Sequence, residues 1–172
     1  MVSVVAVFGL SGVGKSWLIS RFAAAETVVH AQASQLLREA RAAISGRAET
    51  QEELRKGAVL ENQTLLIEAF ARLRASATAP VIFDGHSVVD GRDRLIEIPV
   101  DVIQALGPTG LVFIRDDPAA IVTRRAQDKF RIRPARTEAE IGVQQDRAFM
   151  VCARYRDRKR RGDTTLRRAG SL

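Results

Sequence analysis

Residues 2–16 read Val-Ser-Val-Val-Ala-Val-Phe-Gly-Leu-Ser-Gly-Val-Gly-Lys-Ser, and this stretch decides the fold. Its first half, Val2–Phe8, is almost entirely apolar and rich in β-branched residues, as expected of a strand buried on both faces. A glycine-rich turn begins at Gly9, and a helical pattern follows over Lys15–Ala25. The order strand, glycine turn and helix predicts an α/β domain that opens with a buried strand.

The turn Gly9-Leu10-Ser11-Gly12-Val13-Gly14-Lys15-Ser16 matches the P-loop pattern G-x-x-x-x-G-K-[ST] in full. Its glycines permit backbone turns that point successive N–H groups inward, and the following helix adds its positive end, so the turn suits phosphate. We expect Lys15 to reach the β- and γ-phosphates of ATP and Ser16 to place its hydroxyl on Mg²⁺. The predicted ATP site comprises Gly9, Ser11, Gly12, Val13, Gly14, Lys15, Ser16 and Trp17.

Short strands alternate with helices along the rest of the chain. The strand candidates after the first are residues 27–30, 80–83 and 111–114, and residues 90–94 are expected to form a loop. Helices are predicted over 34–44 with Ser34 as N-cap, over 51–74 and 99–106, from Asp117-Pro118, and from a capping box at residues 137–140. This alternation predicts a parallel sheet covered on both faces, whose ligands bind beyond the carboxyl ends of the strands.

Composition indicates one domain without disulfides. The chain has 172 residues, of which 46% are hydrophobic, and contains one cysteine, Cys152. We place the domain at about residues 1–158 and a basic tail at 159–172. A lone cysteine fits a reducing compartment, and no apolar run reaches the length of a membrane span. We therefore expect a soluble cytoplasmic protein with no membrane partner.

The net charge of +7 is concentrated in the last third of the chain. Residues 1–114 carry 11 Lys and Arg against 12 Asp and Glu, whereas residues 115–172 carry 16 against 8. Because the planar guanidinium grips phosphate well, this block suggests a phosphate-bearing ligand. A solvated helix face followed by a disordered basic tail explains it equally well.

A carboxylate and a histidine follow the strand candidate at 80–83. Asp84 would orient water on Mg²⁺ or hold an acceptor, or else cap the next turn. His86 would hydrogen-bond an acceptor or serve the structure. Neither His86 nor His30 has a second ligand at metal spacing, so we expect no zinc site.

Arginines cluster where the helical pattern after residue 118 fades. Arg124, Arg125, Arg131, Arg133 and Arg136 lie in this stretch, and Arg147 follows on the next helix. Arginines on a mobile loop near a P-loop suit phosphoryl transfer, whose charge must be clamped while water is excluded. The predicted catalytic residues are Lys15, Arg124, Arg125, Arg131 and Arg147.

The chain resembles the nucleoside monophosphate kinases, and most closely the archaeal-type adenylate kinases, over about residues 1–158. Beyond the P-loop, the resemblance rests on Asp84-Gly85-His86-Ser87, Pro99, Asp117-Pro118, Ile121, Arg124-Arg125 and Arg147. It implies a three-layer α/β/α P-loop kinase fold with a five-stranded parallel sheet, an acceptor-binding helical region at about 33–75 and a lid at about 125–138. By position, it also implies that Arg38, Arg55 and Gln63 are candidates for holding the acceptor nucleotide, beside His86 considered above.

The chain departs from this family after Arg147. Four strands are clear, but residues 164–166 are the only remnant of a fifth. In the family, the loop after the fifth strand packs against the adenine of ATP.

The sequence thus predicts transfer of the γ-phosphoryl group of Mg·ATP to a nucleoside monophosphate, with AMP as the expected acceptor. A kinase for a small metabolite hydroxyl, with Asp84 as base, is one alternative, and a nucleotide-dependent switch or RNA-associated ATPase is another. One Trp and one Tyr provide few stacking platforms for single strands, which argues against nucleic acid. A homo-oligomer is compatible with the sequence.

Overall fold

The computed structural model describes residues 2–45, 59–91, 94–128 and 133–168. Its strands are β1 (Val4–Phe8), β2 (Val29–Gln32), β3 (Val81–Asp84), β4 (Val88–Asp90), β5 (Leu95–Glu97) and β6 (Gly110–Phe113). Its helices are α1 (Lys15–Ala25), α2 (Ala33–Ser45), α3 (Val59–Ser76), α4 (Val100–Leu106), α5 (Pro118–Gln127) and α6 (Glu138–Arg168). The alternation of strands and helices predicted from the sequence is confirmed.

Four parallel strands form the main sheet in the order β2-β3-β1-β6. Strand β1 has neighbours on both sides, and Val4, Ala6 and Phe8 are almost completely buried. This central position explains why the first strand is apolar throughout, since helices cover a parallel sheet on both faces. Gly9 and Asp84 consequently meet at the carboxyl edge of neighbouring strands.

The described part of the chain contains no fifth strand in this sheet. Residues 164–166, which the sequence suggested as the remnant of a fifth strand, belong to α6. The predicted strand remnant and the five-stranded sheet are therefore wrong for the described residues. Extending an established helix adds a hydrogen bond for each residue fixed, and three strand-like residues do not outweigh that gain. Within the described ranges, no helix combines the length and apolar character needed to cross a membrane.

Strands β4 and β5 form an antiparallel hairpin where the sequence suggested a loop. Val89 faces Ile96, and the loop prediction for residues 90–94 is wrong at Asp90, which ends β4. Each strand has three residues, too few for an alternating pattern to be recognised. The hairpin lies beside the carboxyl edge of β3 and forms one wall of the site described below.

Side-chain caps fix the starts of the last two helices. The Asp117 carboxylate accepts from the N–H of Ala119, with Pro118 in the first turn of α5. At α6, the Thr137 N–H donates to the Glu140 carboxylate at 2.8 Å, and the Glu140 N–H donates to Thr137 Oγ1 at 3.2 Å. Both predicted caps are confirmed.

The predicted cap of α2 is wrong. This helix begins at Ala33, directly after β2, so Ser34 lies inside its first turn. The carbonyl of Ser34 is engaged there by the side chain of Arg38.

Candidate active site

The carboxyl ends of β1 and β3 open into a cavity of about 510 Å³. This volume lies in the range usual for small-molecule sites. The P-loop, α5 and the segment that follows α5 line one half, and α2, α3, α4 and the β4–β5 hairpin line the other. The cavity therefore has one half at the P-loop and a second chamber.

Two glycines give the P-loop its shape. A Cβ at Gly9 would lie 2.6 Å from the backbone oxygen of Ile114, so no larger residue fits there without a shift. Gly12 has φ = 92°, in the left-handed region, and a Cβ there would lie 3.0 Å from Arg125 Cγ. The loop thus closes tightly on its neighbours, and Val13 contributes its side chain to the core.

Lys15 is buried inside this loop. Its Nζ donates to the carbonyls of Gly9 at 3.0 Å and Leu10 at 3.2 Å, and lies 3.3 Å from His86 Nε2. The ammonium therefore lies at the meeting point of the P-loop and the residues after β3. His86, predicted to contact an acceptor, lines the same cavity.

A hydroxyl and a carboxylate lie together next to the lysine. Ser16 Oγ donates to Asp84 Oδ2 at 2.8 Å, and His30 Nε2 lies 3.4 Å from the same oxygen. The Gln32 amide donates to Ser16 Oγ at 3.4 Å. Across the described ranges, no three His, Cys, Asp or Glu side chains form a metal-binding group. Ser16 and Asp84 suit Mg²⁺, which commonly takes few protein ligands and completes its shell with phosphates and water.

Three arginines, two on α5 and one in the segment after it, contact the P-loop. Arg124 Nε donates to the Gly12 carbonyl at 2.8 Å, Arg125 Nε to the Ser11 carbonyl at 2.8 Å, and Arg133 Nε to Ser11 Oγ at 2.9 Å. We call Arg124, Arg125 and Arg133 the clamp arginines. Arg133 was not predicted as a catalytic residue, although it was recognised as one of the clustered arginines.

One buried nitrogen of this group lacks a hydrogen-bond partner in the described part of the chain. The Arg133 side chain is only 7% exposed, and its Nη1 has no hydrogen-bond partner among the described residues. A buried donor without a partner is costly. Arg133 lines the cavity, and an anionic oxygen that reached this nitrogen would satisfy it.

Each clamp arginine also has an acidic partner. Asp116 pairs with Arg124, Asp90 with Arg125 at 3.2 Å, and Asp128 with Arg133 at 2.8 Å. The hydrogen bond from Arg124 lowers the pKa of Asp116. The sequence did not identify these three carboxylates as partners of the arginines. The one available signal was that Asp90 directly follows Val88-Val89, which could have indicated that it ends a strand.

The second chamber is mainly apolar. Its walls include Leu37, Leu66, Val89, Ile96, Ile98 and Val102. Asn62 and Gln63, on α3, add side-chain amides to the lining, so Gln63, an acceptor candidate from the resemblance, lies at the cavity. No described lysine or arginine lines this chamber. Arg38 is not among the cavity-lining residues, and its Nε donates to the Ser34 carbonyl at 3.2 Å.

Several predicted residues lie elsewhere. Arg147 is 55% exposed and pairs with Glu97 outside the cavity, so the structure does not bring it to the P-loop. Trp17 lies at the cavity mouth, 65% exposed, with the Arg21 guanidinium 5.2 Å from its ring centroid. The predicted positions Arg55 and Arg131 lie outside the described residues.

The chain is similar to several known proteins, among them kinases. A family described as AAA domain matches residues 8–142. The adenylate kinases of Thermococcus sibiricus and Thermococcus onnurineus are 30% and 31% identical over 147 residues, which cover 83% of this chain and 74% of each relative. The solved structure of shikimate kinase from Bacteroides thetaiotaomicron aligns with a TM-score of 0.61 at 17% identity, over 89% of this chain and 81% of that one. This last likeness concerns the fold alone.

Proposed function

Because this chain belongs to the AAA domain family and, among the P-loop kinases, to the nucleoside monophosphate kinase family, we propose that it transfers the γ-phosphoryl group of Mg·ATP to a nucleoside monophosphate, AMP foremost. One observation carries the proposal. A P-loop with three clamp arginines and an apolar chamber with two amides are the two halves of one cavity. Such a cavity suits a triphosphate facing a purine nucleotide.

The residues of the phosphate half act by position and charge. A nucleoside monophosphate offers an anionic oxygen as nucleophile, so no general base is required. Lys15 and the clamp arginines hold the phosphates in line and balance charge that spreads over the transferring group. We assign Ser16 and Asp84 to Mg²⁺, which when bound neutralises phosphate charge and orients the reacting groups.

The second chamber is assigned to the acceptor. Leu37 and Leu66 offer apolar surface to a base, and the Gln63 amide offers a donor and an acceptor to its edge. The Asn62 amide also lines the chamber, and its oxygen accepts from Arg41 at 2.9 Å. The acceptor phosphate needs a cation, and we assign Arg38 and Arg55, within an acceptor region at about 33–75, to that role. We likewise propose residues 125–138 as the lid of a domain spanning about 1–158.

An acceptor panel tests this function. ADP formation from ATP is measured with AMP, CMP, UMP and GMP, and with hydroxyl acceptors that include shikimate and simple sugars. We expect a nucleoside monophosphate to give the highest kcat/KM and the Lys15→Ala variant to be inactive with every acceptor. A preference for a hydroxyl compound would refute the proposed acceptor and leave the kinase assignment intact.

A second acceptor class is favoured by one contact. His30 Nε2 lies 3.4 Å from Asp84 Oδ2 at the cavity. A carboxylate beside an imidazole is a suitable general base for a hydroxyl acceptor. The same oxygen already accepts from Ser16, which agrees better with a role at Mg²⁺. A hydroxyl kinase would ignore AMP in the panel and would lose activity in Asp84→Asn at every Mg²⁺ concentration.

A further inference from the structure

Asp90, at the end of β4, is shared by two guanidiniums. Its Oδ2 lies 3.2 Å from Arg125 Nη1, and its Oδ1 lies 3.0 Å from Arg136 Nη2. The Asp90 side chain is 10% exposed and that of Arg125 7%. Arg125 belongs to α5, whereas Arg136 lies just before α6. A single partly buried carboxylate therefore joins the two ends of the segment between these helices.

Both arginines make further contacts that extend this link. Arg125 also donates from Nε to the Ser11 carbonyl of the P-loop. Arg136 also donates to the Gly91 carbonyl at 3.1 Å and lies 3.6 Å from the Glu140 carboxylate. The hairpin, the P-loop and the start of α6 thus meet at Asp90.

The charge balance of this cluster depends on the carboxylate. Arginine stays protonated at all relevant pH values, so Arg125 and Arg136 remain cationic with or without Asp90. Breaking a buried ion pair by removing one partner leaves an uncompensated charge, which is strongly unfavourable. Without Asp90, Arg125 would gain by turning toward water and would give up its contact with Ser11.

We propose that Asp90 is a positioning residue for phosphoryl transfer: it holds Arg125 against the P-loop so that the guanidinium is in place when the nucleotide binds. This inference requires one part of the proposed function, namely that ATP is the phosphoryl donor. Asp90 acts through Arg125 and contacts no reacting atom. Its removal should lower the transfer rate, and the loss should vanish when Arg125 is absent.

The same hairpin supplies a matched control. Glu97, on β5, also pairs with two arginines, Arg147 and Arg154, but all three lie outside the cavity. Glu97→Gln therefore removes a carboxylate from a two-arginine cluster without touching the P-loop. Asp90→Asn and Glu97→Gln release different pairs of arginines, and the Glu97 cluster is the more exposed of the two.

The test is a double-mutant cycle on the full chain. The single-turnover rate of phosphoryl transfer from ATP is measured with the acceptor that the panel selects. If no acceptor in the panel is used, the rate of transfer to water is measured instead, so the cycle does not depend on the identity of the acceptor. We expect Asp90→Asn to lose at least tenfold in rate and Glu97→Gln less than twofold. The transfer rate of the double variant Asp90→Asn/Arg125→Gln should lie within threefold of the rate of Arg125→Gln alone. Asp90→Glu, which keeps the carboxylate, should retain a higher rate than Asp90→Asn.

Three results would overturn the proposal. The first is a transfer rate for Asp90→Asn that lies within twofold of the rate for Glu97→Gln. The second is a double variant whose loss of rate equals the combined losses of Asp90→Asn and Arg125→Gln. The third is transfer faster than wild type in Asp90→Asn, which would mean that the carboxylate competes with phosphate for Arg125. Thermal melts of every variant show whether each is folded. If Asp90→Asn does not fold, Arg136→Gln replaces it: a positioning role through Arg125 predicts a rate within threefold of wild type, and a larger loss contradicts it.

Discussion

Ser16 and Asp84, 68 positions apart in the chain, are joined by a hydrogen bond of 2.8 Å from Ser16 Oγ to Asp84 Oδ2. The hydroxyl stands in the first turn of α1 and the carboxylate at the end of β3. Parallel pairing of β1 with β3 brings these two chain segments to the same edge of the sheet. The two residues assigned to Mg²⁺ from the sequence are thus adjacent.

Replacing Asp84 with Asn should raise the Mg²⁺ concentration needed for half-maximal rate by about tenfold or more, because a neutral amide is a poorer partner for the ion and its water. The measurement is a Mg²⁺ titration of initial rates at saturating ATP. Asp101→Asn is the control, since Asp101 is exposed and pairs with Arg158 away from the cavity. An unchanged Mg²⁺ dependence in Asp84→Asn would remove this carboxylate from the metal site.

Lys15→Ala should abolish phosphoryl transfer while the protein still folds, because the ammonium balances phosphate charge at the transition state. Thermal melting and kcat are measured together. Lys159→Ala is the control, since Lys159 also donates to a backbone carbonyl, that of Pro108, but outside the cavity. Residual activity within about tenfold of wild type would exclude Lys15 from the mechanism.

The sequence predicted the site best where the chemistry is local. The P-loop and the caps of α5 and α6 depend on residues a few positions apart and were identified correctly, whereas the predicted Ser34 cap of α2 was wrong. The pairing of Asp90 with Arg125 and Arg136 depends instead on a hairpin with three-residue strands, too short to be recognised. Arg147 was assigned to phosphate from its place in a family pattern, and its pairing with Glu97 depends on how α6 packs on the hairpin. Such long-range packing leaves no periodic signal in the sequence.

ATP and GTP should serve as donors with kcat/KM values within about tenfold, equivalent to about 1.4 kcal/mol. Discrimination between purines needs hydrogen bonds to the base edge, and in the resembled kinases the loop after a fifth strand provides such contacts. In the residues that the structure describes, the main sheet has four strands. A hundredfold preference for ATP in steady-state kinetics would contradict this prediction.

The capping box of α6 should make stability depend on pH. The Thr137 N–H, more than the Thr137 hydroxyl or Arg136, lowers the pKa of Glu140 in the folded protein. A carboxyl group with a lowered pKa stabilises the fold above its unfolded pKa, about 4.3 for Glu, and this contribution is lost as pH falls through the folded value. The melting temperature of wild type should therefore exceed that of Glu140→Gln at neutral pH, and the gap should close in acid.

Thr137→Ala removes the other half of the same cap and should cost about 1 kcal/mol at neutral pH. Chemical denaturation of this variant beside Glu140→Gln checks both effects. A gap between wild type and Glu140→Gln that persists at low pH would show that the ionised carboxylate does not support the cap.

The central claim is transfer from ATP to a nucleoside monophosphate, and ³¹P NMR of ATP, AMP, Mg²⁺ and the protein tests it most directly. The spectrum separates transfer from hydrolysis, because transfer yields two ADP from one ATP and one AMP, whereas hydrolysis yields inorganic phosphate. We predict that the ATP and AMP signals decline together while ADP grows without inorganic phosphate, and that Lys15→Ala shows no change. Growth of inorganic phosphate with AMP untouched would contradict the account.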